Sequence, residues 1–387
     1  MAKRRQPEAI GVSGPKVFFY VQHLLGIGHI ARASRIASAL ARRGCSVTLV
    51  TGGLPVAGFP GDDVTSIALP PVVAATSGFS GLAHKDGTPV DQAFLDDRRD
   101  RLLATFHATR PDVVIIEAFP FGRRQMRFEL LPLLDAIETA KPRPKLFSSV
   151  RDILQQQKKA GRDAETVATL DAHFDGVLVH GDPRFVRLEE TFPLAADIAG
   201  KIRYTGLVAP AIPPEPVEVF DIVVSAGGGA VGRDLVRASL DAARRVATDR
   251  RWCLIAGPNM PEADFMALQN EAPANTQLVR FRSDFPSLLR GAELSISQAG
   301  YNTVCDLLVT GCRSILVPFT AGGETEQSVR AERLEALGLA TALPEAGLTA
   351  EMLEQSVATA LQKPKPASHS IDLDGAEKTA VIVQDAA

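Results

Sequence analysis

Hydrophobic and polar positions along this chain follow two rhythms: short unbroken apolar runs, and longer stretches apolar every third or fourth position. Lys16–Gln22 (KVFFYVQ) is continuous in apolar and β-preferring residues, as in a strand buried on both faces. Leu25-Gly26-Ile27-Gly28-His29 then turns sharply. From there Ile30, Ala33, Ile36, Ala37 and Leu40 lie on one face of a helix predicted over Ile30–Arg43. Gly44 ends that helix, and Ser46–Thr51 reads as a second strand. Together they predict a βαβ unit, whose crossover is right-handed.

The pattern repeats. Residues 54–90, rich in Gly, Pro and Ser, read as loops around a short strand near Val64–Ala68. A helix is predicted over Asp91–Thr109 and a buried strand over Asp112–Ile116, which places Glu117 at a strand's carboxyl end. A helix over Arg127–Thr139 follows, with strands over Lys145–Val150, Gly176–His180 and Ile202–Leu207. Val208–Val219 holds four prolines and is the best linker candidate. A new cycle begins with Phe220–Ser225, the glycine run Gly227–Gly229 and a helix over Val231–Arg245. Strands at Trp252–Ala256 and Thr276–Arg280 lead to Ser295–Pro318, which reads strand, Gln298-Ala299-Gly300 turn, helix and strand. Ala321–Gln327 is another glycine turn, and Thr349–Gln362 is the last predicted helix.

The expected architecture is α/β, with two similar halves joined by a proline linker. Its parts are a flexible leader over residues 1–14, domains over 15–207 and 220–365, a linker over 208–219 and a polar tail over 366–387. Length agrees, because 387 residues exceed one ordinary core.

Composition narrows the classes. A net charge of −3 gives no basic footprint for nucleic acid. Cys45, Cys253, Cys305 and Cys312 are scattered without CxxC spacing, so reduced thiols in a cytoplasmic protein are expected rather than a zinc or disulfide framework. No apolar run reaches a membrane span and no secretory signal is evident, while peripheral membrane contact stays open. No metal site is expected: Asp62-Asp63 are adjacent, and Asp372 and Asp374 fall in the tail.

The candidate chemistry collects at glycine turns. Gly26 and Gly28 let backbone approach a ligand and put His29 at a helix start, as a general base or as a histidine bonding its own turn. A dinucleotide-binding motif fails here, since the pattern runs Gly26-x-Gly28-His29-Ile30-Ala31 and the second strand ends without an acid. Three later turns, at Gly227-Gly228-Gly229, at Gln298, Gly300, Asn302 and Thr303, and at Gly323 with Glu326 and Gln327, would converge at one sheet edge. Helix starts there suit a diphosphate, Asp306 suits a ribose hydroxyl pair, and Glu326 with Gln327 suit sugar hydroxyls. Glu117 is a second base candidate or a loop ion-pair partner, and Arg123 and Arg124 are acceptor-side cations or a solvated pair.

On Gly26-x-Gly28-His29, Ser297–Pro318, Glu324–Arg330, Glu117–Glu129 and His180–Arg184, the chain resembles the family 28 glycosyltransferases of GT-B fold. The resemblance runs over residues 16–365 and is strongest within a branch of bacterial glycosyltransferases. It implies two doubly wound Rossmann-like domains facing across a cleft, an acceptor site in the first, a UDP-sugar site in the second, and inverting transfer without a metal or other cofactor. The acceptor implied is lipid-linked or polysaccharide-related. Carried over by position, His29 assists the acceptor hydroxyl and Asp306 stands where the family has a ribose-binding glutamate. Glu326 and Gln327 stand where the cell-wall enzyme of the family has two sugar-reading glutamines, and Gly227–Gly229 match its diphosphate loop. The rival readings are a sugar-nucleotide epimerase of the same fold and a non-catalytic sugar-nucleotide-binding subunit.

Overall fold

The computed structural model describes residues 14–24, 26–56, 58–75, 81–155, 159–227, 232–246, 249–366 and 368–387. Its first half runs β1 (Lys16–Val21), α1 (Gly28–Arg42), β2 (Ser46–Thr51), β3 (Thr65–Ala68), a small antiparallel pair β4 (Val73–Ala74) and β5 (Leu82–Ala83), and α2 (Gln92–Thr109). It continues with β6 (Val113–Glu117), α3 (Arg127–Thr139), β7 (Lys145–Arg151), α4 (Arg162–His173), β8 (Gly176–His180) and β9 (Ile202–Tyr204). The second half runs β10 (Ile222–Ser225), α5 (Arg233–Arg245), β11 (Trp252–Ile255), α6 (Glu262–Asn270), β12 (Thr276–Val279), α7 (Phe285–Gly291) and β13 (Leu294–Ser297). Then come α8 (Tyr301–Thr310), β14 (Ser314–Leu316), α9 (Glu326–Ala336), β15 (Thr341–Ala342), α10 (Ala350–Gln362) and α11 (Gly375–Ala386).

Two parallel sheets result, in the orders β3-β2-β1-β6-β7-β8-β9 and β12-β11-β10-β13-β14-β15. Helices cover both faces of each sheet, so inner strands such as β6 are buried at every residue and carry no polar alternation. Strand order reverses between β1 and β6, where Tyr20 pairs with Ile116, and between β10 and β13, where Ser225 pairs with Ser297. Ligands collect outside the strand ends at such switch points. Chain topology thereby selects His29 and Glu117 in one domain, and Gly227 and Gln298 in the other.

Several short elements have no counterpart in the sequence pattern: α4, α6, α7, β4, β5 and β15. Each buries little; α4 buries only Thr166 and Leu170, too few positions to impose an apolar period. The polar tail is the larger correction. Residues 375–386 form α11, which packs on α1 across the domain boundary, with Ala380 and Val383 buried in the core of Val17, Ile36 and Leu40. Asp372 is not solvated there: its amide donates to Asp182 (3.0 Å), its carbonyl accepts from the Leu207 amide (2.8 Å), and its carboxylate pairs with Lys378.

The first domain holds a buried polar centre that the apolar pattern could not show. Arg98 on α2 is wholly buried and donates to both oxygens of Glu129 (2.7 and 3.1 Å), to Gln22 (2.6 Å), to the Gly52 carbonyl (3.0 Å) and to the Pro70 carbonyl. Tyr20 also donates to Glu129. One guanidinium thus ties down the loops that follow β1, β2 and β3. Position 52 must be glycine, because a Cβ there would stand 2.0 Å from Arg98 Nη2. Removing one partner strands the other's charge in the core. Arg98→Ala should therefore lower unfolding free energy by about 3–5 kcal/mol in urea titration; a loss below about 1 kcal/mol, as for an exposed pair, would contradict this role.

Candidate active site

On the first-domain side, α1 begins one residue before His29, so the imidazole stands over the carboxyl ends of β1 and β6. Its Nδ1 lies 3.0 Å from Oε1 of Glu117, and a quarter of the side chain is exposed. An ionised carboxylate only accepts, so Nδ1 carries the proton and Nε2 is left as the acceptor. Burial and the neighbouring Arg123 guanidinium push the histidine down, to about 3, against the opposing pull of Glu117. The imidazole is therefore neutral at physiological pH.

Glu117 was a second base candidate, and its surroundings assign it elsewhere. It is fully buried and accepts from Arg32, from His29, and from Ser149 Oγ at 2.5 Å. Burial works to raise its carboxyl, but Arg32, His29 and Ser149 outweigh that and hold it well below the usual carboxylate range. It is held as an anion, with donors on both of its oxygens. Arg32, three residues after His29 on the same helix face, was missed by sequence reading, although that spacing was the available signal.

Arg123 and Arg124 separate sharply. Arg124 pairs with Glu165 (2.5 Å) and donates to the Arg162 carbonyl (3.0 Å), which makes it a brace between α3 and α4. Arg123 adopts the left-handed backbone (φ 58°), its Nε is buried without a partner, and no carboxylate pairs with it among the described residues. Burial lowers it to about 10, which still leaves it charged at neutral pH. Gly26 opens onto free space, whereas the Gly28 carbonyl accepts from Asn302 Nδ2 (3.1 Å) and faces the second domain.

Across the cleft, α8 starts at Gly300 with no side chain capping its first turn. Gln298, just before it, is 6% exposed, and its Nε2 has no hydrogen-bond partner among the described residues. Gly227 has φ +74°, and a Cβ there would meet Gln298 Oε1 at 2.7 Å, so this turn needs glycine. Gly228 and Gly229 lie outside the described residues. Thr303 lies in the first turn of α8, partly buried, and Gly323 closes the short turn Ala321–Gly323 with φ +78°.

Four expected ligand contacts are engaged with protein instead. Asn302 and Asp306, one turn apart on α8, face α1, where Arg35 donates to Asn302 Oδ1 (3.3 Å), Asp306 Oδ1 (3.5 Å) and the Val208 carbonyl (3.1 Å). Glu326 is 3% exposed and bound between Arg330 (2.7 Å) and Arg151. Arg330, wholly buried, also holds Asp152 through two bonds (3.0 and 2.7 Å) and the Ala299 carbonyl (2.7 Å). Gln327 accepts from the Phe319 amide (3.1 Å) and so shapes the loop after β14. Three of the four, Asn302, Asp306 and Glu326, find a partner on the first domain, in Arg35 or Arg151, and no sequence pattern names a partner that distant. Among the described residues no group of His, Cys, Asp or Glu is placed to hold a metal ion.

Residues 222–384 match the model of the glycosyltransferase family 28 C-terminal domain. The second half of this chain is thus similar to that domain. Among curated relatives, the UDP-N-acetylglucosamine–N-acetylmuramyl-(pentapeptide) pyrophosphoryl-undecaprenol N-acetylglucosamine transferase of Synechocystis sp. is 34% identical over 137 residues, covering 34% of this chain and 37% of that protein. The same-named transferase of Gloeobacter violaceus is 31% identical over 154 residues, 39% and 42% of the two chains. The chain thus spans under half the length of these two relatives. Solved structures match the whole molecule: Acinetobacter baumannii MurG has a TM-score of 0.59 at 16% identity, over 96% of this chain and 100% of that one. The calicheamicin glycosyltransferase CalG4 gives 0.59 at 16%, over 96% and 94%. At such identities the likeness shows the fold, and the fold is GT-B. No helix of the described residues is long and apolar enough to cross a membrane.

Asp306 offers a test of how α8 meets the first domain. Burial lifts its carboxyl to about 6, and Arg35 offsets this only in part. A raised folded-state value means stability is fully present below the unfolded value of about 3.9 and is lost as pH rises through 6. Relative to wild type, Asp306→Asn should gain roughly 3 kcal/mol between pH 4 and pH 8 in urea titrations. A difference that does not vary with pH would show that Asp306 ionises freely.

Proposed function

We propose that the protein transfers a sugar from a UDP-sugar to a hydroxyl of a lipid-linked or polysaccharide-related acceptor, with inversion and without a metal. The observation that carries this reading is the His29–Glu117 pair, standing across the cleft from the uncapped start of α8 in a family 28 domain. The names of the curated relatives support the UDP-sugar donor and the lipid-linked acceptor.

In this reading the acceptor hydroxyl attacks the anomeric carbon and its proton passes to Nε2 of His29. The bond to the diphosphate breaks on the opposite face, and its electron pair leaves with UDP. The positive end of α8 and the Gly227 turn meet the developing phosphate charge. Gln298, with its unpartnered amide, is placed to donate to the same group. Arg123, a half-buried cation with no paired carboxylate among the described residues, is the natural contact for an anionic group on the acceptor. Asp306 and Glu326 reach ribose and sugar hydroxyls only once Arg35, Arg330 and Arg151 yield, so donor binding and domain opening are linked. The site of action in this reading is the cytoplasmic face of a membrane, reached by peripheral contact.

A thermal-shift screen of nucleotide sugars is the first test: a ligand at 100 times its Kd stabilises by ~2.7 kcal/mol. His29→Ala should cut kcat by about 10²–10⁴-fold while leaving UDP binding intact. Arg123→Ala should raise the acceptor KM about tenfold or more with kcat little changed. Binding without turnover by wild type, with membrane extract as acceptor source, would favour the non-catalytic subunit. Interconversion of the donor without UDP release would favour the epimerase, and no nucleotide binding at all would sink all three readings.

A further inference from the structure

The residues behind Glu117 form a line that the reaction above does not use. Glu117, Ser149, His180 and Thr205 lie on or just after β6, β7, β8 and β9, four neighbouring strands of the first sheet, near their carboxyl ends. Glu117 and Ser149 are register partners, as are Arg151 and His180. All four side chains are fully buried. Ser149 Oγ lies 2.5 Å from Glu117 Oε2 and 2.9 Å from His180 Nε2, and His180 Nδ1 lies 2.9 Å from Thr205 Oγ1.

The direction of each bond follows from the carboxylate. Glu117 is an anion and cannot donate, so the single Ser149 proton must lie on the 2.5 Å contact. Ser149 Oγ then accepts, and Nε2 of His180 supplies the proton. A neutral imidazole holds one proton, so Nδ1 accepts from Thr205. That contact, at 2.9 Å, is shorter than the alternatives for the threonine hydroxyl, the Gly206 and Val179 carbonyls at 3.1 and 3.4 Å. Every proton in the line points toward Glu117. The backbone of His180 is held as well, because its carbonyl accepts from Tyr301 of α8 (3.0 Å).

We propose that Ser149 and His180 are positioning residues for His29, a buried donor line that fixes the Glu117 carboxylate against Nδ1 and so keeps Nε2 unprotonated toward the cleft. Without the line, Oε2 of Glu117 loses its neutral donor and the carboxylate rotates toward Arg32, which holds only Oε1. The Nδ1 contact is then shared or lost, and the imidazole exchanges between tautomers. Bonds in such a line polarise one another, so the far member matters beyond its own contact. The inference rests on the transferase reading for its catalytic consequence, but the tautomer it fixes is a property of the protein alone.

The test reads the His29 ring nitrogens by NMR of the full-length protein labelled with ¹⁵N-histidine, at pH 6–8, in wild type, Ser149→Ala, His180→Phe and His180→Gln. Wild type should show a single Nδ1–H form. Ser149→Ala and His180→Phe should show exchange between the two forms, and His180→Gln, which keeps an amide donor in place of Nε2–H, should restore the single form. In turnover with the UDP-sugar found by the thermal-shift screen, the first two variants should lose about tenfold in kcat at unchanged KM. A mixed tautomer in wild type, or a wild-type spectrum in Ser149→Ala, overturns the proposal. Should His180→Phe fail to fold, Ser149→Ala, which removes a single oxygen, decides alone. A single tautomer in a wild type that turns over no donor would remove the transferase reading and leave the line standing.

Discussion

Two guanidinium groups meet at one aromatic ring in the middle of this molecule, and the rest of the site hangs on that arrangement. Arg32 from the first domain and Arg330 from the second sit 5.1 and 5.8 Å from the centroid of Tyr301. Two like charges do not approach the same buried ring unless each is compensated. Arg32 is compensated by Glu117, and Arg330 by Asp152 and Glu326. The Tyr301 hydroxyl closes the unit by accepting from the Val208 amide (2.8 Å) and donating to the His180 carbonyl. One residue at the start of α8 thereby touches Val208, the guanidinium paired with Glu117 and the strand end that carries His180.

The residues expected to contact a donor are occupied for a related reason. A buried ion pair between domains contributes little net stability but is costly to break by halves. Nature of contact therefore matters more than number: Arg330–Asp152 is wholly buried, whereas Arg333–Glu190 at the same boundary is exposed. The apolar part of the boundary is continuous as well, since Ile153, Phe185 and Val186 share a core with Phe220, Ala331 and Leu334. Helix α11 adds a second crossing, bound to α1 by Arg42–Glu377 and by bonds between Arg43 and Gln384 (2.7 and 2.8 Å). A ligand entering the cleft meets a closed boundary in which polar groups are already paired, so its binding energy is spent partly on replacing those pairs.

Much of the fold was legible because strands buried on both faces leave unbroken apolar runs and helices leave a 3.6-residue period. KVFFYVQ and DVVII needed nothing more to be read as central strands. His29 was legible because glycines at a strand-to-helix turn and a histidine at the helix start are local facts. Arg98, Asp152 and Arg330 were not, because a charged residue in sequence reads as solvated, and only a partner 31 or 178 positions away makes it a core residue. Glu326 shows the same limit from the other side: its place in the motif was visible, and its commitment to Arg330 and Arg151 was not.

Sequence alone therefore determined the principal strands and helices, the two α/β cycles and the glycine turns, since all of these depend on steric and hydrophobic preferences acting over a few residues. It also determined that His29 and the Gly300 turn stand at strand ends. Tertiary structure decided which carboxylate bonds the histidine, which arginine has no paired carboxylate among the described residues and which motif residues face the other domain. Those outcomes depend on desolvation and on pairing between distant segments, and neither quantity exists until the two sheets have closed on each other.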